Sequence, residues 1–281
     1  MPRVADISPS GRIRPIASRQ NPTVQLFREL AHKRKPGDTQ LLIDGWHLLL
    51  EARQAALPIE RAVFTRDLLE TPHIALVANE LAESGVEVFE ATGPVMQAIS
   101  PVRTPSGVVA IAQHEIAPLE TVFKGPPQLL LFALDIQDPG NLGAMIRSAD
   151  AAGATGVVTC GASADPFGWK ALRGSMGSAF RVPIARAPLE AALSVARTAR
   201  VRVVAAVPRY GQPLFDTDLC VPMAFLLGTE GAGLPLGLLQ QMDETVTIPM
   251  RPPVESLNVA VAAALLFYEA MRQRSRLGAR R

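Results

Sequence analysis

Hydrophobic positions along the chain fall into two alternating series, separated by a short polar stretch rich in proline. In the first, residues 20–34 (QNPTVQLFRELAHKR) place Val24, Leu26, Phe27, Leu30 and Ala31 on one face of a helix. Asn21 before Pro22 offers an N-cap followed by a first-turn proline. The apolar run QLLID (40–44) predicts a strand, and GWHLLLEARQAA behind it a helix. A strand at 60–65 (ERAVFT), a helix near 73–84, a strand at 86–90 (VEVFE), a short helix near 93–99 and a strand at 107–112 (GVVAIA) follow. Together they predict an alternating α/β unit over residues 20–113.

Residues 114–127 (HEIAPLETVFKGPP) lack periodicity and read as a linker. The second series opens at LLLFAL (129–134), the continuous apolar run of a strand buried on both faces. Further strands are predicted at 155–160, 201–207, 222–228 and 244–249, with helices near 141–152, 168–178, 188–199 and 235–242. A last helix runs from about Leu257 to Gln273. This pattern predicts a mostly parallel α/β domain over 128–273, with ligand expected at the carboxyl ends of its strands.

Composition agrees with two folded domains: the 281 residues are 48% hydrophobic and 19% charged. The first twenty residues contain no apolar core of a secretory signal. The longest apolar helical run, 259–268, falls short of the roughly 20 residues a membrane span needs. A cytoplasmic protein without a membrane partner is therefore expected. Cys160 and Cys220 have no metal-ligand spacing, so reduced cysteines and no metal are expected. Charge is uneven. Residues 1–40 hold eight Arg/Lys against three acids, and residues 272–281 hold five arginines and no acid. The sequence thus reads as a basic arm (1–19) and a basic tail (274–281) flanking an acidic body. Such arms suit a polyanion such as RNA, and equally a solubilising role.

The glycine-rich turn FLLGTEGAGLP (225–235) invites a phosphate reading and refuses it. No lysine follows the glycines, their spacing is the reverse of the dinucleotide fingerprint, and the carboxylate of Glu230 would repel a phosphate. Two other segments share its position near strand ends. LDIQDPGNLGAMIRSADAAGATGVV (134–158) carries Asn141, Gly143 and Arg147 as N-x-G-x-x-x-R at a helix start. TIPMRPPVESLNVAVAAALLFYEAM (247–271) enters a long helix around S-L-N.

These three segments, in this order, resemble the SpoU/TrmH family of RNA 2′-O-ribose methyltransferases in the SPOUT superfamily. NPTVQLFREL, LLIDGWHLLLEA and TPSGVVAI are similar to the family's RNA substrate-binding domain, a small α/β sandwich of the kind seen in some ribosomal proteins. The resemblance implies a trefoil knot, an exception to the unknotted paths of most chains. It implies S-adenosylmethionine as cofactor, with Gly228, Ile248 and Leu257 touching it beside Gly233 and Met250. Val207, within AAVP (205–208), would close the adenosine side. It also implies a homodimer through the final helix and the helix near 140–152.

The implied reaction has a ribose hydroxyl attack the methyl carbon, which asks for positioning and for a proton acceptor. Arg147 matches the family's catalytic arginine. A guanidinium with a pKa above about 12 is strained as a base, and binding the phosphate beside the target ribose is the other role open to it. Glu230 matches the second motif's glutamate, suited to fix Arg147 or a substrate hydroxyl, balance a sulfonium charge or take a proton. Asn141 and Asn258 match the motif asparagines, which hold loops by hydrogen bonds or cap helices, and Ser256 matches a family serine or serves as an N-cap. Two positions depart from the pattern: Thr229 stands where asparagine is common, and Ala260 where a small hydroxyl residue is common. KALRGSMGSAFRVPIAR (170–186) resembles a phosphate-binding segment through Lys170, Arg173 and Arg181. The substrate implied is structured RNA, 23S-type rRNA ahead of tRNA. A non-catalytic RNA-binding relative is the competing class, and it would have no need of Asn141, Arg147, Glu230 and Asn258 together.

Overall fold

A computed structural model describes residues 13–35, 37–125, 128–228 and 233–278. The chain divides into two units, one ending at Glu115 and the other beginning at Ile116.

The first unit opens with β1 (Arg14–Ile16), α1 (Pro22–Lys33), β2 (Gln40–Asp44) and α2 (Trp46–Gln54). It continues through β3 (Ile59–Thr65), α3 (Arg66–Leu69), α4 (Pro72–Glu83), β4 (Glu87–Ala91), α5 (Gly93–Ile99) and β5 (Val108–Gln113). The sheet order is β1-β4-β3-β5-β2. The strands β1, β4 and β3 are parallel, and β5 runs antiparallel to β3 and β2. The core forms where the apolar runs predicted it, with Leu41, Leu42, Ile43, Phe64 and Ile111 fully buried beside Phe27 of α1. Asn21 caps α1 by accepting the Thr23 N–H, with Pro22 in the first turn.

Strand β1 lies inside the stretch that charge marked as a basic arm. Its arginine adds side-chain contacts to the pairing with β4. Arg14 donates to Glu87 and covers the Phe89 ring at 4.7 Å, while Arg61 donates to the other Glu87 oxygen at 2.6 Å. Those two arginines, Arg61 first, hold the Glu87 carboxyl below the usual carboxylate range. Ile16 then buries itself against the sheet. Residues 1–12 of that arm lie outside the described residues.

The second unit begins with α6 (Leu119–Val122), β6 (Leu129–Leu134), α7 (Pro139–Ala151), β7 (Gly156–Cys160), α8 (Trp169–Ser175) and β8 (Ile184–Arg186). It continues with α9 (Leu189–Thr198), β9 (Arg202–Ala206), β10 (Gln212–Pro213), β11 (Met223–Leu227), α10 (Leu236–Leu239), β12 (Glu244–Thr247) and α11 (Val259–Gly278). Its described strands form a seven-stranded sheet in the order β10-β12-β9-β11-β6-β7-β8, with every pairing parallel. This is the α/β fold with a mostly parallel sheet expected for a SPOUT domain. Strands β8 and β10 have three and two residues, too short for a periodic signal, and they extend the sheet at its edges.

Strand alternation divides the core. Leu130, Phe132, Ala224 and Leu226 pack with Leu189, Ala192 and Leu193 of α9. On the opposite face Phe225 meets Phe267 of α11 edge-on at 5.3 Å. Part of the stretch read as a linker belongs to this unit, because Val122 and Phe123 are buried and Phe123 stacks edge-on against Phe132 at 6.0 Å. The start of the basic tail is also built in: Arg274 donates to the carbonyls of Gln128, Leu219 and Val221. Those bonds explain why α11 continues beyond Gln273, where the pattern ended it.

Helix α7 packs against both α8 and α11. Its crossing with α8 leaves no space for a side chain at Gly143. A Cβ there would collide with the Ala171 carbonyl oxygen and stand 2.9 Å from Gly174 Cα and Ser175 N. Gly143, the glycine of the N-x-G-x-x-x-R spacing, is thus the place where two helix backbones meet.

Candidate active site

At the carboxyl ends of β9, β11 and β12 lies a cavity of about 400 Å³. Val207 and Pro208 wall it after β9, Leu227 at the end of β11 and Gly228 just beyond, and Ile248 and Met250 after β12. Gly233 and Leu234 approach from the glycine-rich turn, and Ser256, Leu257 and Asn258 from the segment entering α11. The six residues expected around a cofactor, Val207, Gly228, Gly233, Ile248, Met250 and Leu257, therefore line one space, although they are spread through the sequence from position 207 to position 257. Most of the lining is aliphatic, so specificity must come from main-chain groups and a few polar side chains. At Gly228 a Cβ would come within 2.5 Å of Leu234 Cδ2, so any larger residue there would have to push the Leu234 side chain aside.

Asn258 joins two of the three motifs. Its Oδ1 accepts from the N–H groups of Ala260 and Val261, capping α11, and its Nδ2 donates to Asn141 Oδ1 at 3.1 Å. Both readings of this asparagine hold at once, as cap and as tether. Asn141 itself sits in the first turn of α7, whose cap is Asp138: the Asp138 carboxylate accepts the Asn141 N–H at 2.7 Å. Helix α7 therefore starts at Pro139, two residues before the predicted start. Ser256 is exposed on the cavity wall and does not cap α11, a place taken by Asn258.

Arg147 lies further along α7, exposed and outside the cavity wall. Among the described residues no carboxylate or carbonyl holds its guanidinium. Glu230 and its neighbour Thr229 lie outside the described residues. Of the three basic residues expected to meet RNA, Lys170 is exposed with its Nζ 5.4 Å from the Trp169 ring, and Arg173 is exposed on α8. Arg181 is engaged inside the unit, donating to Asp150 of α7 at 2.8 and 3.1 Å and to Ser178.

Two contacts at the cavity rim have no counterpart in the sequence reading. Arg209 pairs with Glu255 at 3.3 Å, Gly211 N–H donates to Thr247 Oγ1 at 2.8 Å, and Tyr210 stands between them. No sequence signal marks such cross-loop pairs, since their partners lie 46 and 36 positions apart. Cys160 is buried, and burial first, then Glu190 and Asp135, push its thiol up to about 12, so it stays protonated near neutral pH. Among the described residues no group of His, Cys, Asp and Glu could hold a metal, and no helix is long and apolar enough to cross a membrane.

Known proteins share this arrangement. The SpoU rRNA Methylase family profile matches residues 128–268, and the MRM3-like substrate binding domain profile matches residues 21–110. The 23S rRNA (guanosine(2553)-2′-O)-methyltransferase RlmP of Bacillus subtilis is 34% identical over 254 residues, which cover 90% of this chain and 97% of that protein. The crystal structure of an AdoMet-bound rRNA methyltransferase from Sinorhizobium meliloti matches with a TM-score of 0.82 at 31% identity, covering 93% of this chain and 98% of that one. The SpoU methyltransferase AviRb from Streptomyces viridochromogenes, in complex with AdoMet, matches with a TM-score of 0.77 at 28% identity over 91% of this chain and 99% of its own.

Proposed function

This chain belongs to the SpoU rRNA methylase family, and on that footing we propose that it transfers the methyl group of S-adenosylmethionine to a ribose 2′-hydroxyl of 23S-type ribosomal RNA. The observation that carries this reading is the cavity, where Val207, Gly228, Gly233, Ile248, Met250 and Leu257 converge beside the Asn141–Asn258 bond. The residues fit the cofactor. A volume of about 400 Å³ lies in the range of small-molecule sites, and the aliphatic walls suit a nucleoside and a thioether. The exposed main chain at Gly228 and Gly233 leaves backbone groups free to meet polar edges. When bound, the cofactor supplies a methyl group on a sulfonium, open to attack by a hydroxyl.

The chain's own residues then divide the work. Asn258 fixes the segment entering α11 and, through Asn141, the start of α7. Arg147 presents a guanidinium to the phosphate beside the target ribose, orienting the hydroxyl. This role suits a group that keeps its proton, whereas that of a base does not. Glu230 is the carboxylate assigned to receive the proton. Ser256 is placed to contact substrate from the cavity wall. Lys170 and Arg173 contact RNA phosphates, with Arg181 contributing chiefly through Asp150. Residues 20–113 select the RNA, and a ribosomal RNA substrate puts the enzyme in the cytoplasm. Incubation with methyl-labelled S-adenosylmethionine and deproteinised 23S rRNA is expected to label the RNA. Cofactor binding without transfer would favour a non-catalytic RNA-binding relative.

The assembly we propose is a homodimer through α11. Val261, Leu265 and Tyr268 repeat at i, i+4 and i+7 on that helix, and all three are roughly half exposed. Light scattering should give twice the 30.0 kDa chain mass for the wild type, and a monomer for Leu265→Glu. A variant that keeps the dimer mass rules out this face. The knotted path implied by the family belongs to the same proposal, supported by the 248–258 segment lying on the cavity that residues 206–208 also wall. An experimental chain trace with an unthreaded carboxyl terminus would remove it.

A further inference from the structure

Tyr210 is 98% exposed, and its φ of 66° lies in the left-handed region. That region favours glycine, asparagine and aspartate, and a bulky residue there is strained. The turn holding it is packed and hydrogen-bonded at Gly211 and bordered by a surface ion pair at Arg209. Gly211 donates to Thr247 Oγ1 and is packed so closely that a Cβ would stand 2.7 Å from that oxygen and 2.8 Å from the Val246 carbonyl carbon. On the other side Arg209 pairs with Glu255, the neighbour of the cavity-lining Ser256. Val207 and Pro208, just before, are cavity wall. A rigid turn at the rim of the cavity therefore displays an aromatic ring that does not line the cavity and whose hydroxyl has no partner among the described residues. Phe215, 67% exposed, lies five positions further on, in a 3-10 turn beyond β10. The contacts flanking the turn hold its backbone, while the ring itself is left almost wholly to solvent.

We propose that Tyr210 is a stacking platform for an unpaired base of the RNA substrate, next to the nucleotide whose ribose enters the site. The inference rests on the RNA methyltransferase reading above and adds to it a residue that positions substrate. RNA is recognised chiefly through splayed bases stacked on aromatic rings, and an exposed ring held by a stiff turn has lost its freedom before the base arrives. A fully exposed ring beside an arginine suits a nucleobase between phosphates better than a buried protein contact. A second copy of the chain already has an apolar stripe on α11 to use.

The test compares Tyr210→Asn and Tyr210→Trp with the wild type, using deproteinised 23S rRNA and labelled S-adenosylmethionine. Asparagine accepts the left-handed conformation, so Tyr210→Asn should unfold at the wild-type temperature or above it. Its KM for RNA should rise about 10-fold while kcat and cofactor affinity hold. Tyr210→Trp should restore the wild-type KM. Because stacking releases no counterions, the salt dependence of RNA binding should keep its slope in Tyr210→Asn. A KM within twofold of the wild type, or a changed oligomeric mass, overturns the platform while leaving the methyltransferase reading intact. A wild-type protein that neither binds nor methylates RNA overturns both.

Discussion

Replacing Arg147 by alanine is expected to slow methyl transfer to 23S rRNA by about 100- to 1000-fold, the usual effect of deleting one preorganised donor at a reacting centre. Cofactor affinity should not change, because Arg147 lies outside the cavity wall. The size of the effect follows from where the side chain stands. Helix α7 is pinned at its start by the Asp138 cap and the Asn141–Asn258 bond, and along its length by the crossing with α8. Arg147 is therefore carried by a rigid element, exposed, with no ion-pair partner among the described residues. A lysine offers a point charge without the planar fork, so Arg147→Lys should recover only part of the rate. Single-turnover rates with saturating cofactor make the comparison, and Arg147→Ala within threefold of the wild type contradicts the assigned role.

The second large effect is on stability. Gly143→Ala adds one methyl group to a helix, where alanine normally gains about 1 kcal/mol over glycine. At this position the sign should reverse. The new Cβ meets backbone atoms of Ala171, Gly174 and Ser175, which cannot swing away as a flexible side chain would. Separating the two helices to admit it costs about 2–3 kcal/mol net, at the upper end of overpacking penalties. For a domain of this size that lowers the unfolding temperature by roughly 4–12 °C. Thermal unfolding followed by circular dichroism reads this directly, and an unchanged or raised midpoint would show that α7 and α8 do not meet at Gly143 as described. Because α7 carries both Asn141 and Arg147, the same substitution should reduce activity below the melting temperature as well.

Much of this architecture was legible in the hydrophobic pattern, for a physical reason. A strand buried on both faces must be apolar throughout, so β6 and β11 announce themselves as LLLFAL and MAFLL, and both are buried nearly end to end. Short edge strands have no such constraint, and β1, β8 and β10 went unseen. Of these, β1 pairs with β4, and the side-chain partners of its Arg14, Glu87 and Phe89, lie more than seventy positions away. Charge counting likewise treated Arg274 as part of a free tail, whereas three backbone carbonyls hold it. Within the candidate site, the ordered motifs and the AAVP segment supplied the residues proposed to surround the cofactor, because glycine turns, strand ends and an S-L-N helix start are local features. The double duty of Asn258 and the clash at Gly143 depend on which helices touch, and that is settled only in three dimensions. Tyr210 was passed over for a related reason: a tyrosine in a proline- and glycine-containing loop carries no signal until its backbone conformation and exposure are known.

The central claim is that methyl transfer ends on a ribose hydroxyl, and alkaline hydrolysis tests it most directly. A 2′-O-methyl group removes the nucleophile that alkali uses to cleave the neighbouring phosphodiester, so 23S rRNA labelled by this protein should keep its label in an alkali-resistant dinucleotide. That is the predicted result, with the labelled dinucleotide reduced to a trace over the same time when Arg147→Ala replaces the wild type. Label recovered in single nucleotides, on a base, would contradict it.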